Sequence, residues 1–228
     1  MSLNRLFRLI SIALLLLFMT LAASLVAIEW GAYQRGAHSV QALSNFRLAL
    51  ITLEKVANER GPANAYMGVE TAVNQVWRDE LQRTRHDSDQ AINQLIKALQ
   101  ADPDPRHPAV IEKVMILQRT LGPARLAIDR IAGQDRGQRD SAYIISAVDG
   151  MVDAIPLMVR VLADLAEIAN QADPELRDGL SSVRVAASLR EYAGQLGSLY
   201  TAPIVTRRPL FLHVADASDP QARGAAAG

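Results

Sequence analysis

Residues 43–57 read LSNFRLALITLEKVA, and Leu43, Phe46, Leu50, Leu53 and Ala57 fall at alternating steps of three and four. An α-helix carries residues three and four apart on one face, so this spacing predicts the seam of a helix packed in a bundle. Only Gly31 and Gly36 interrupt the chain between this seam and a long apolar segment upstream. The simplest reading is one continuous helix that ends near Gly61-Pro62.

The upstream segment, residues 9–28, reads LISIALLLLFMTLAASLVAI and carries no charge. At about 1.5 Å per residue it reaches about 30 Å, the hydrocarbon thickness of a bilayer. Arg5 and Arg8 precede it, and Glu29, Trp30 and Tyr33 follow it. Arginines favour the cytoplasmic side and aromatic rings the membrane interface. Residues 1–8 are therefore expected as a cytoplasmic stub, 9–28 as a transmembrane helix and 29–210 as an extracytoplasmic domain. The competing reading is a cleaved signal peptide, for which Ala22-Ala23-Ser24 or Val26-Ala27 supply small residues; its apolar region is usually shorter than this one.

Downstream the pattern stays helical. A second helix is expected from near Thr71 to Gln100, with Ile92, Leu95, Ile96 and Leu99 as its apolar face, ending where Pro103, Pro105 and Pro108 crowd together. A third carries Val110, Val114, Leu117, Leu121, Ala124, Ile128 and Ile131, with a kink expected at Gly122-Pro123. Residues 133–140, GQDRGQRD, read as a polar turn. A fourth helix holds Ile144, Val148, Met151, Ile155, Leu162 and Leu165, with Pro156 as a second kink. Asp173-Pro174 reads as the cap and first position of a fifth, running to about Thr201. No segment alternates with period two for long enough to form a strand. The expected fold is all-α: a transmembrane helix continuing into an up-and-down antiparallel helical bundle. Residues 211–228, FLHVADASDPQARGAAAG, have little to bury and read as a disordered tail.

Lys+Arg and Asp+Glu are equal at 24 each, so no basic surface argues for nucleic acid. Cysteine is absent, which excludes disulfides and thiolate chemistry. The four histidines, His38, His86, His107 and His213, are scattered. No phosphate loop, dinucleotide fingerprint, HExxH or GxSxG occurs. Asp149 and Asp153 share a helix face, where carboxylates are usually solvated rather than catalytic. The chain is not expected to be an enzyme or to carry a cofactor or metal.

Two arginines stand out. Three residues beyond Ala57 lies Arg60, and three beyond Ala187 in the fifth-helix seam (Leu176, Leu180, Val183, Ala187) lies Arg190. Small residues follow each: Gly61, Ala63 and Ala65, then Ala193, Gly194, Gly197 and Ser198. A buried guanidinium needs an anionic partner, and its planar fork suits a small oxyanion. One reading joins Arg60 and Arg190 across the bundle as an anion clamp. A second pairs each with a carboxylate of the chain, such as Glu59, Asp149, Asp153 or Glu191. A third lets the stem pack while the charge reaches water.

The same residues carry a resemblance. Residues 53–67, LEKVANERGPANAYM, resemble the first helix of nitrate- and nitrite-sensing-type (NIT-like) domains, with a Glu-Arg-Gly step near its end, and residues 188–200, SLREYAGQLGSLY, resemble their matching late helix. With the anchor, the similarity covers roughly residues 1–210. It implies the extracytoplasmic sensing module of a bacterial receptor, single-pass in the inner membrane with the bundle periplasmic or extracellular. It also implies a homodimer or a partner receptor, and a small anion held by Arg60 and Arg190. Members of that family continue into a second span and an output domain. Neither follows here, so the expectation is a receptor truncated before its transmitting half. The alternative is a stand-alone membrane-tethered adaptor or structural protein with no small ligand.

Overall fold

The computed structural model of the chain describes residues 3–70 and 75–206, except for the side chains of residues 3–14, 28, 31, 32, 34, 35, 202 and 206. The expectations for Thr71 and for residues 207–228 lie outside the described residues.

Three prolines decide where the helices break. Helix α1 (Leu3–Asn58) gives way at Glu59 to α2 (Arg60–Gly68); α5 (Ser141–Val152) gives way at Asp153 to α6 (Ala154–Ala172); α7 (Arg177–Leu199) gives way at Tyr200 to α8 (Thr201–Thr206). Pro62, Pro156 and Pro203 each sit third in the following helix. A proline lacks the N–H that would bond the carbonyl four residues back, and its ring crowds that carbonyl. Those carbonyls belong to Asn58, Val152 and Leu199, the last residues of α1, α5 and α7. Within a first turn the missing N–H costs nothing, so each helix restarts at once. The chain therefore does not leave helix at Gly61-Pro62, nor before Pro203. Pro156 interrupts the helix at Asp153, whose backbone itself stays helical (φ −63°, ψ −21°). The remaining helices are α3 (Gln75–Ala101) and α4 (His107–Ala132), and α4 continues through Pro123. Single 3₁₀ turns at Arg136–Gln138 and Pro174–Leu176 complete the path. The Asp173 side chain accepts from the Glu175 amide at 3.0 Å, opening the turn before α7.

Cross-contacts fix the directions. Asn45 of α1 donates to Asp102 at 2.9 Å and Lys55 pairs with Asp87 at 3.1 Å, so α1 and α3 run antiparallel. Arg85 pairs with Asp129 and Arg125 with Asp89, both at 2.9 Å, so α3 and α4 do too. Ser39 donates to the Ala172 carbonyl, while Leu53 lines a groove with Val159 and Leu162, which turns α6 against α1. α7 runs parallel to α2, because Arg60 meets Glu191 and Asn64 meets Ser198. The result is an up-and-down all-α bundle, and no strand occurs among the described residues.

The core joins Phe46, Leu53 and Val56 of α1 to Ile92 and Leu95 of α3, Leu117 and Leu121 of α4, Ile144 of α5 and Met158 and Leu165 of α6. Burying one such side chain contributes roughly 1.5–3 kcal/mol. All seven positions of the α4 seam are buried, as are all six of the α5–α6 seam. The α1 seam is shifted: it runs Ala42, Phe46, Ala49, Leu53, Val56 and Arg60, and Leu43 is 40% exposed. α1 packs against both α3 and α6, so its buried face is wider than one stripe. Gly150 brings α5 against α4; a Cβ there would meet the Ala124 Cβ at 3.2 Å.

One helical stretch among the described residues, Ser141–Ala172, is long and apolar enough to cross a membrane. It is broken at Asp153, and its apolar face is the bundle core just described. The other apolar stretch, Leu15–Ala27 of α1, touches no core: Leu15, Leu16, Leu17, Phe18, Leu25 and Val26 are all more than half exposed.

Candidate functional site

The site grows from the break at Glu59. Because α1 stops at Asn58 and α2 begins at Arg60, two successive charged residues leave the backbone at a joint. Both are buried, Glu59 at 0% and Arg60 at 6% exposure.

Glu59 is met from α3 and α4. Arg125 Nε donates to its Oε2 at 2.9 Å and Arg125 Nη2 to its Oε1 at 2.6 Å. The Ser88 hydroxyl also donates to Oε1. Arg125 reaches on to Asp89 with Nη1 at 2.9 Å. Burial works against the Arg125 cation, but Glu59 and then Asp89 outweigh it and raise its pKa.

Arg60 turns the other way, to α7. Its Nη1 and Nη2 grip the two oxygens of Glu191 in a fork-to-fork pair, the Nη2 bond measuring 2.9 Å. Its Nε donates to the Ala57 carbonyl at 3.4 Å. Gly194 makes room for this guanidinium: a Cβ at 194 would stand 2.7 Å from Arg60 Nη2. Gln195 adds a second donor to Glu191 at 3.1 Å.

Arg190 is not in the core. It is exposed, and its Nη2 donates to Asn58 Oδ1 at 3.1 Å. The expected register extended the α7 seam by three residues from Ala187. The buried position is four residues on, at Glu191, then Ser198. Arg60 and Arg190 nevertheless line one groove of about 420 Å³ between α1 and α7, together with Arg47, Glu54 and Asn58. Among the described residues neither Arg47 nor Arg190 forms a salt bridge. The structure thus brings the two arginines together at one groove, with Arg60 held by a carboxylate and Arg190 free of one.

Sequence reasoning missed Arg125 and Arg139. Arg125 lies one position beyond Ala124 in the α4 seam, where an arginine can reach around the edge of a core face. Arg139 lies in the polar turn before α5 yet is 5% exposed. It donates to the carbonyls of Met67 at 2.6 Å, Val69 at 2.7 Å, Gln134 at 3.0 Å and Ala132 at 3.2 Å. It thereby closes the C-terminal ends of α2 and α4 with one cation. Nothing in the turn's sequence distinguishes Arg139 from its neighbour Arg136.

No family model, curated protein or solved structure matches this chain.

Proposed function

We propose that the chain is a membrane-anchored, extracytoplasmic sensing module that takes a small anion in the groove between α1 and α7. One observation carries this reading: a single helix, α1, runs from the exposed apolar stretch to the last residue before the Glu59–Arg60 joint. Anything that moves the joint acts on a rod that reaches the apolar stretch. The exposed rings of Trp30 and Tyr33 stand 6.0 Å apart just beyond that stretch, an arrangement suited to a membrane interface. With Arg5 and Arg8 on the other side, they favour an inner-membrane orientation with the N-terminus in the cytoplasm. In the groove, Arg190 and Arg47 offer donors to an anion, and Arg60 becomes available if the anion displaces Glu191. The resemblance to NIT-like domains agrees with this assignment.

The test is thermal unfolding of the full chain in detergent against nitrate, nitrite, sulfate, acetate and chloride. A specific anion raises the midpoint, and the gain disappears in Arg190→Ala, which touches nothing in the core. If no anion in the panel stabilises the wild type, anion sensing is wrong.

The second reading is a membrane-tethered helical adaptor with no small ligand. It is favoured by the saturation of Arg60, whose three nitrogens all have partners within the chain. Equal midpoints across the panel support it.

A further inference from the structure

α7 has two faces. Its buried face is thin, consisting of Leu180, Glu191 and Ser198. The opposite side carries Val185, Leu189, Tyr192, Leu196 and Leu199, each 58–65% exposed. Their spacing is four, three, four, three, the a/d repeat of a coiled coil. Leu189 and Leu196 take the a positions, and Val185, Tyr192 and Leu199 the d positions. The flanking e and g positions are Ala186, Ser188, Ala193, Gln195 and Tyr200, with no charged side chain. The charges of this stretch, Arg184, Arg190 and Glu191, fall at b and c. Scattered exposed leucines need no explanation, but a continuous apolar stripe on a regular repeat does.

We infer that this stripe is the surface on which a second copy of the chain docks, α7 against α7, as a parallel two-fold pair. The seam is self-complementary, because a two-fold places a on a and d on d. With no charge at a, d, e or g, a second copy meets no like charge along the seam, and the one charged side chain lining the neighbouring groove is Arg184, at the c position. The five side chains offer about 500 Å² per copy, on the order of 1,000 Å² for the pair, which reaches the lower edge of specific interfaces. Beside the stripe, Val159 and Leu162 of α6 line a groove of about 370 Å³ shared with Val185, Leu189 and Tyr192, a seat for the partner's side chains. The parallel direction rests on the proposed anchoring: two copies inserted in one bilayer point α7 the same way, at raised effective concentration. Glu191 sits next to Tyr192, so the ion pair with Arg60 ties the docking seam to the anion groove.

The cysteine-free sequence makes the test direct, since any introduced thiol is unique. Val185→Cys, Leu189→Cys, Tyr192→Cys, Leu196→Cys and Leu199→Cys are made singly in the full chain and oxidised in native membranes. Tyr143→Cys, at an equally exposed position on α5, is the reference. All five stripe variants should give about tenfold more disulfide-linked dimer than the reference. Adding Leu189→Glu to Leu196→Cys should abolish its dimer. Cross-linking no better than Tyr143→Cys overturns the proposal. Cross-linking at Tyr192→Cys alone, the sign of an antiparallel crossing, overturns it too. Alkaline extraction of the same membranes reads the anchor separately. Release of the chain with cross-links intact removes the anchor and supports the α7 pair.

Discussion

Glu59 and Arg60 are neighbours in the chain, yet Glu59 pairs with Arg125 of α4 and Arg60 with Glu191 of α7. Both stand at the helix break between Asn58 and Arg60 imposed by Pro62. In one continuous helix successive side chains diverge by a fixed angle of about 100°. Glu59 keeps helical backbone (φ −64°, ψ −28°), so that angle carries across the joint and turns two buried charges of opposite sign toward different neighbours.

The Arg60–Glu191 pair gives the first prediction. Taking both charges out of water nearly cancels their attraction, so the pair itself adds little net stability. Removing one partner strands the other. Arg60→Ala should cost about 3–5 kcal/mol, while Arg60→Met with Glu191→Leu should cost far less than the sum of the two single changes. Denaturant unfolding of the full chain in detergent, followed by circular dichroism, reads both. Additive losses would mean that the two side chains do not meet.

Gly194 and Gly197 give a paired prediction on the same helix. Alanine normally stabilises a helix interior over glycine by about 0.5–1 kcal/mol. At Gly197 nothing lies within 4 Å of the added Cβ, so Gly197→Ala should show that gain. At Gly194 the Cβ would stand 2.7 Å from Arg60 Nη2, so Gly194→Ala should instead lose about 1–3 kcal/mol. The opposite signs are the readout. A gain at both positions would show that Arg60 does not lie flat on α7.

Helix type and the α4 and α5–α6 seams were legible because their apolar residues hold one phase over many turns. The α1 seam was harder. Packing on both α3 and α6 buries Asn45, Thr52 and Glu59 beside the apolar stripe, so hydrophobicity alone misplaces the phase by a residue. Arg60 was still found, because both phases pass through it. Arg190 was misplaced because α7 buries so little that either continuation of its seam fits the sequence. The prolines were read as ends or kinks. Their actual effect falls four residues upstream, at the carbonyl each leaves unbonded. The partners of Glu59 and Arg60 lie 66 and 131 residues away, beyond anything local spacing can report.

Arg139 carries the third prediction. Its guanidinium spreads over carbonyls at the ends of α2 and α4, and burial lowers its pKa while Glu70 works the other way. A lysine has a single nitrogen and cannot reach the same spread of acceptors. Arg139→Lys should therefore destabilise by about 1–3 kcal/mol, and Arg139→Met by more, since buried carbonyls lose their donor. Hydrogen exchange should localise the loss to the last turns of α2 and α4. A uniform change across the bundle, or none, would contradict the capping role.

The fourth prediction concerns acid. The Arg106 guanidinium hydrogen-bonds both oxygens of Asp104 and, against the opposing effect of burial, holds its pKa down from 3.8 to about 2. The Arg106 amide adds a bond to Oδ1 at 2.9 Å. A carboxylate depressed on folding binds its proton more readily when unfolded, so it stabilises the fold at pH above 3.8. That contribution fades as pH falls through the interval from 3.8 to about 2. Arg106 is 42% exposed, so solvent and salt screen the pair and the effect should shrink at high ionic strength. The Asp104 carbonyl also accepts from the His107 amide at 3.1 Å, which places the loss at the start of α4. Unfolding midpoints at pH 5, 3 and 2 should fall more steeply in the wild type than in Asp104→Asn, with early exchange of the first amides of α4. Parallel pH curves for the two proteins would show that the Asp104–Arg106 contact does not persist in solution.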